Sequence, residues 1–347
     1  MKKRLTLLMA LVLFVSMSIV SEAGIFGFLR RQETTSKDRD GKIVVGLSLP
    51  TQREERWVRD REQMQREAMR LGIDLRVQIS DADVALQNAQ IENLLAQGID
   101  VLILAPHDSA AVASAVENAQ REGVPVISYD RLIMNADVEL YISFDNVGVG
   151  RLQGEYITKQ VPKGNYVIMS GAATDNNATL FKQGAMEFIQ PLIDKGDINV
   201  VSEQSVDDWL PSNALRIIED ALTRSRNNVD AILAPNDGTA GGAVVALEAQ
   251  GMAGKVPVTG QDAEVAAVRR IVAGTQSMTI FKDTRALGTA AIEAAVKMAK
   301  NEEVETNGKV NNNYADIPSL LLIPQLVTKE NIDVLFDSGY MKRDDVY

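Results

Sequence analysis

At 347 residues the chain is long for one domain and comfortable for two. It is 46% hydrophobic but only 5% aromatic, so its core must be aliphatic, and a net charge of -11 sets it against nucleic-acid backbones and anionic lipid. Cysteine is absent, which excludes a lipidated N-terminal cysteine, and a core this large needs no disulfide staple.

Lys2, Lys3 and Arg4 precede an apolar run from Leu5 to Val20, and Ser21-Glu22-Ala23 places small residues at the -3 and -1 positions of a cut after Ala23. This layout predicts a secretory signal peptide over residues 1–23. The competing reading is a permanent anchor, because the run falls just short of a span. Cleavage would remove three cations and Glu22, taking the net charge from -11 to -13. Residues 24–40 turn from apolar to charged (RRQETTSKDRD) and read as a flexible lead-in.

From Lys42 onward, short runs rich in Val and Ile alternate with segments of helical period. The runs are KIVVGLSL, LRVQIS, DVLILAP, VPVISYD, LYISFD, NYVIMSG, INVVSEQ, VDAILAP, VPVTGQD and SMTIFKD, with SLLLIPQLVT near the end. Continuously apolar strands are buried on both faces, and alternation with helices makes them parallel with right-handed crossovers. So many strands predict an α/β protein of two doubly wound lobes, each with a sheet of about five or six strands. Pro211 fits the first turn of a helix, and Gly72, Gly98, Gly123 and Gly251 fit left-handed helix ends. Met64 and Met69 read as packing residues.

Ligands of open parallel sheets bind beyond the carboxyl ends of the strands. Here those ends carry Arg53 to Trp57, His107-Asp108, Asp130-Arg131, Asp145-Asn146, Asp175-Asn176-Asn177, Asp207-Asp208-Trp209, Asn236-Asp237, Gln261-Asp262 and Lys282-Asp283. Asp145, Asp175, Asp237 and Asp283 serve equally well as helix N-caps. Capping does not explain the arginines and tryptophans. Balanced carboxylates and cations suit a neutral polyol, whose hydroxyls both donate and accept. Flat partners for a pyranose ring are available in Trp57, Trp209 and Phe181. On residue types alone a zwitterionic amino acid is also admissible. Trp57 and Trp209 could instead lid the core, and Arg56 and Arg131 could be interlobe salt-bridge residues.

REERW, YDRLI, YISFDN, TDNNATLF, DDWLP, NDGTAGGA, GQDAEVAAV and AGTQSMTIFKDT, in this order, resemble the periplasmic D-xylose-binding proteins, which are sugar-binding proteins of ABC transporters with the type I periplasmic binding fold. The resemblance runs from about Lys42 to the C-terminus. It implies two lobes joined by a three-strand hinge, the N-terminal one being 41–146 plus 283–322 and the C-terminal one 147–282 plus 323–347. It also implies that Arg56, Asp130, Arg131, Asn177, Asn236, Asp262 and Lys282 hydrogen-bond the sugar while Trp57, Phe181 and Trp209 pack on its ring faces. D-xylose is the expected ligand, with glucose, galactose or arabinose as the alternative. A monomer, a permease in the inner membrane and a chemoreceptor or sensor as second reader follow as expected partners, and a periplasm as the compartment. His107-Asp108, FKDTR and DDWLP depart from the xylose-binder pattern, and these departures bear on which sugar is taken.

No cofactor is expected, because P-loop, G-x-S-x-G and G-x-G-x-x-G patterns are absent from the sequence. GVGRLQG (148–154) is one residue too long for the dinucleotide fingerprint and reads as a helix entered after YISFDN. No metal is expected either: His107 is the only histidine, and DRDG (38–41) lacks the rest of a calcium loop. A sugar-responsive repressor would need a helix-turn-helix ahead of the core, for which 24–40 is too short. An enzyme acting on sugars could use the carboxylates as an acid/base pair, but the same groups serve binding without chemistry.

Overall fold

The computed structural model describes residues 41–347, so the expected signal peptide (1–23) and lead-in (24–40) lie outside the described residues. Lys42–Tyr347 form one unit in which strand and helix alternate. The first half runs β1 (Val44–Leu49), α1 (Glu55–Leu71), β2 (Asp74–Ile79), α2 (Val84–Ala96), β3 (Val101–Leu104), α3 (Ala113–Arg121), β4 (Val126–Tyr129) and β5 (Leu140–Phe144). The second runs α4 (Asn146–Gln160), β6 (Gly164–Ser170), α5 (Asn176–Asp194), β7 (Ile198–Ser205), α6 (Pro211–Ser225), β8 (Ala231–Leu233), α7 (Asp237–Ala249), α8 (Val265–Ala273) and β9 (Thr279–Phe281). The chain ends with α9 (Thr284–Ala299), β10 (Gly308–Asn311), β11 (Asp316–Leu322), β12 (Gln325–Val327) and α10 (Asp333–Asp337).

The first lobe holds a seven-stranded sheet in the order β10-β11-β5-β4-β3-β1-β2, parallel except for β10. Val45 lies opposite Val101, and Leu102 opposite Val126. The apolar runs therefore stack across the sheet, and helices cover both faces, as fully buried strands demand. Helix α9 returns to this lobe, packing Leu287, Ala291 and Ala295 against Leu47, Val101 and Ile103. The second lobe holds the parallel set β7-β6-β8 and the antiparallel pair β9-β12. The chain passes between the lobes three times, from β5 to α4, from β9 to α9 and from β11 to β12.

Two local expectations need correcting, and one strand was not expected. VPVTGQD contributes only a single parallel bridge, Val258 to Ile232, instead of a strand. Thr259 Oγ1 accepts from the Ala234 N–H and donates to the Ala234 carbonyl, both at 2.8 Å, so a side chain takes over from the ladder there. SLLLIPQLVT divides into β11 and β12, which join different sheets, because Pro324 lacks the N–H that would continue β11. GKVN forms an unexpected edge strand, β10, whose polar composition hides it from a hydrophobic pattern. Met64 is fully buried, but Met69, about 140° further round α1, is 74% exposed.

GVGRLQG lies inside α4 and is a packing face. A Cβ on Gly150 would sit 1.9 Å from the Phe181 carbonyl oxygen, and one on Gly184 would sit 2.0 Å from that of Val147. Close approach of α4 and α5 thus requires glycine and fixes where Phe181 stands. The glycines expected after α1, α2, α3 and α7 have φ between 64° and 75°.

Candidate functional site

The carboxyl ends of the strands of both lobes face one cavity, about 340 Å³ when the open solvent at its mouth is included. All ten side chains singled out in the sequence line it. Arg56 and Trp57 enter from the first turn of α1, and Asp130 and Arg131 follow β4. From the other lobe come Asn177 and Phe181 of α5, Trp209 before α6, Asn236 before α7, Asp262 after the Val258 bridge and Lys282 after β9. Glu54, Asp175 and Gln261 complete the lining.

A continuous chain of opposite charges crosses this cavity. Lys282 Nζ lies 2.9 Å from Asp262 Oδ1, which is 3.8 Å from Arg56 Nη1. The same nitrogen is 2.7 Å from Asp130 Oδ2, an ion pair whose angles miss a hydrogen bond. Arg56 also donates through Nε (3.2 Å) and Nη2 (3.0 Å) to Asp60 Oδ2, and Tyr129 donates its hydroxyl to Asp60 Oδ1 at 2.5 Å. Every one of these residues is buried. Burial alone would raise the Asp130 carboxyl, but Arg56 and Lys282 outweigh it and hold the group below its usual value. Asp60 goes the other way: burial lifts it to about 6 despite Arg56, because Asp130 repels it as well.

A second pair joins Arg131 Nε to Asp175 Oδ2 at 2.9 Å. Arg131 belongs to the first lobe and Asp175 to the second, as do Arg56 and Asp262. The two arginines line the cavity and also bridge across it. Both indole rings line the cavity and also belong to the apolar clusters behind it. Trp57 lies under two guanidinium groups, with Arg56 Cζ 4.5 Å and Arg131 Cζ 5.4 Å from its centroid. Phe181 meets Trp209 edge-on at 6.4 Å and 71°, and Lys282 Nζ is 5.7 Å from the Phe181 centroid. Trp209 rests on Gly171, where any Cβ would come within 2.1 Å of the ring. Its Nε1–H is buried and has no partner among the described residues.

Two aspartates repeat one geometry. Asp130 has φ 59° and Asp262 φ 94°, in a region that favours glycine. Each sends its backbone N–H 2.8 Å to the adjacent strand, Asp130 to Ile142 O and Asp262 to Ile280 O. Strain held at two buried, charged, equivalent positions marks the site. Asn177 Nδ2 donates 2.8 Å to the Asp130 carbonyl and so ties the lobes together.

Asp145, Asp175 and Asp283 cap α4, α5 and α9, accepting from Gly148, Asn177 and Arg285 N–H groups. Asp237 caps nothing. Asn236 caps α7 through Thr239, leaving Asp237 to receive Glu264 N, Gln276 Nε2 and Thr279 Oγ1 inside the second lobe. His107 is off the cavity lining; its Nε2 is 3.6 Å from Asp208 Oδ1. Burial and then Arg131 push its pKa below the usual value. Asp60 escaped the sequence reading because it lies within a helix and not at a strand end, although its i+4 spacing from Arg56 was visible.

A pH dependence follows from the second lobe. Burial raises Asp237 to about 7, with Asp262 adding to it. Burial raises Glu264 to about 8, reinforced by Asp237, Asp262, Glu55 and Glu54. Both groups keep a proton in the fold that the unfolded chain releases in the ordinary carboxyl range. Their contribution is therefore fully present in acid and lost as pH climbs toward 7 and 8. Glu264→Gln should stabilise the protein over wild type more at about pH 9 than at about pH 5 in thermal melts. An equal difference at both values would show that Glu264 titrates normally.

A family model described as a periplasmic binding protein domain matches residues 45–303. The D-xylose-binding periplasmic protein of Haemophilus influenzae is 45% identical over 306 residues, covering 88% of this chain and 92% of that protein. Its counterpart in Escherichia coli is 43% identical over 306 residues, covering 88% and 93%. The solved structure of a carbohydrate transporter solute binding protein from Chloroflexus aurantiacus, in complex with D-glucose, superposes with a TM-score of 0.84 at 35% identity, covering 88% of this chain and 98% of that one.

Proposed function

The chain belongs to the periplasmic binding protein domain family, and from that premise we propose that it captures an aldose, D-xylose first among them, and delivers it to an ABC transporter. One observation carries the ligand class: each cation facing the cavity is already neutralised by a carboxylate of the protein. Arg56 has Asp130, Arg131 has Asp175 and Lys282 has Asp262. A charged or zwitterionic ligand would have to displace one of these pairs. An uncharged polyol inserts among them, its hydroxyls accepting from Arg56, Arg131, Lys282 and Asn236 and donating to Asp130 and Asp262. Trp57, Phe181 and Trp209 supply flat apolar faces for the ring.

The moving bodies in this reading are 41–146 plus 283–322 and 147–282 plus 323–347. Sugar touches both and has more partners when they are closed, and only that difference shifts the equilibrium. A micromolar complex needs about -8 kcal/mol, within reach of several charge-assisted hydrogen bonds and stacked faces after ordering costs. The closed face would dock, as a monomer, on an inner-membrane permease, with a chemoreceptor or sensor as a second reader, and the work would be done in the periplasm after export. Binding without catalysis fits cavity carboxylates that are each in an ion pair.

Titrating an aldose panel while following tryptophan fluorescence tests this, since both indoles line the cavity. Saturable binding with D-xylose tightest is the expected result. If no aldose quenches or shifts the emission, and calorimetry is also silent, the sugar reading fails.

A further inference from the structure

Helix α1 presents two adjacent faces to the second lobe. Arg56 points into the cavity, with Asp60 behind it. Glu55 and Arg59, offset by about 100°, miss the cavity and grip the other lobe directly. Glu55 Oε2 accepts the Val265 backbone N–H at 3.0 Å. Val265 is the first residue of α8, and its N-cap, Glu264, makes no side-chain capping bond. The terminus of one lobe's helix is thus capped by the other lobe's carboxylate. Arg59 donates from Nε to the second Glu55 oxygen at 3.0 Å. It also sends Nη1 to the Tyr340 carbonyl at 3.3 Å, with its guanidinium 4.3 Å from the Tyr340 ring centroid. Tyr340 belongs to the second lobe's core with Phe281 and Leu335.

We infer that the Glu55–Arg59 pair is a closure clamp: it sets how strongly the closed form is favoured, and hence the affinity for every ligand, without touching any ligand. A carboxylate at a helix N-terminus completes an unsatisfied N–H and meets the positive end of the helix dipole. Opening the lobes breaks both contacts and returns both side chains to water. Because Arg56 and Glu55 are neighbours on one rigid helix, a ligand that fixes Arg56 also fixes the clamp. The pair therefore multiplies all affinities by one factor, whereas a cavity residue changes their ratio.

The binding arm of the test rests on the sugar reading above, and a second arm does not. Glu55→Ala, with exposed Glu62→Ala of the same helix as control, would be titrated with D-xylose and D-glucose. Hydrogen exchange of the segment containing Val265 would be followed with and without sugar. The expected result is a loss of about tenfold for both sugars at an unchanged ratio, with faster exchange at Val265 and no change in the control. Unchanged affinities, or a ratio that moves more than about threefold, overturn the clamp. Should wild type bind neither sugar, the sugar reading fails. The clamp then stands or falls on the ligand-free protein: faster Val265 exchange and a larger scattering radius in Glu55→Ala support it, and no change in either overturns it.

Discussion

Asp262→Asn should weaken aldose binding by about 100- to 1,000-fold, the order of loss expected when one member of a buried charge pair is neutralised. Asp262 is the carboxylate that Lys282 and Arg56 share, from opposite lobes. Removing its charge takes from buried Lys282 its direct ion-pair partner and takes an acceptor from the ligand. Asparagine is the informative replacement because it tolerates the φ of 94° that alanine would strain. Calorimetric titration reads the loss, and a thermal melt separates it from unfolding. A folded variant that keeps wild-type affinity for every aldose would remove Asp262 from the site.

Arg56→Met has the largest effect expected on stability. Arg56 stands between Asp60, Asp130 and Asp262, none of which is exposed. Removing one partner of a buried ionic cluster leaves uncompensated charge and costs about 3–5 kcal/mol. The loss must depend on pH with a definite sign. Arg56 holds Asp130 low and restrains the burial-driven rise of Asp60. Without it Asp60 rises further and Asp130 loses the cation that holds it low, so the penalty grows as pH rises and shrinks in acid, where they bind protons. Urea denaturation at about pH 5 and pH 8 should show the smaller loss at the lower pH. A loss that is equal at both, or under about 1 kcal/mol, would mean that Arg56 does not neutralise this cluster.

The candidate site was unusually legible because strand ends in a parallel α/β fold converge on one face. Asp130, Asn236 and Asp262 stood out as polar residues stopping apolar runs, and Arg56-Trp57 as a pair that capping could not explain. The same logic left Asp237 open as a cap, because an aspartate one residue past an asparagine looks like one, but Asn236 with Thr239 fills that role. The VPVTGQD strand failed for a related reason, since Thr259 bonds through its hydroxyl to a backbone 25 residues away.

What the sequence determined by itself was local: the period of each segment, the apolar faces, the glycines at helix ends and the residue types at strand tips, all set by a few neighbours along the chain. The tertiary structure alone decided the partnerships, namely Arg131 with Asp175, Lys282 with Asp262, Glu55 with the end of α8, and Asp60 beneath Arg56 and Tyr129. Those depend on the register of two sheets and the approach of two lobes. Both are fixed by packing between residues far apart in sequence, where no short-range pattern records which charge will meet which.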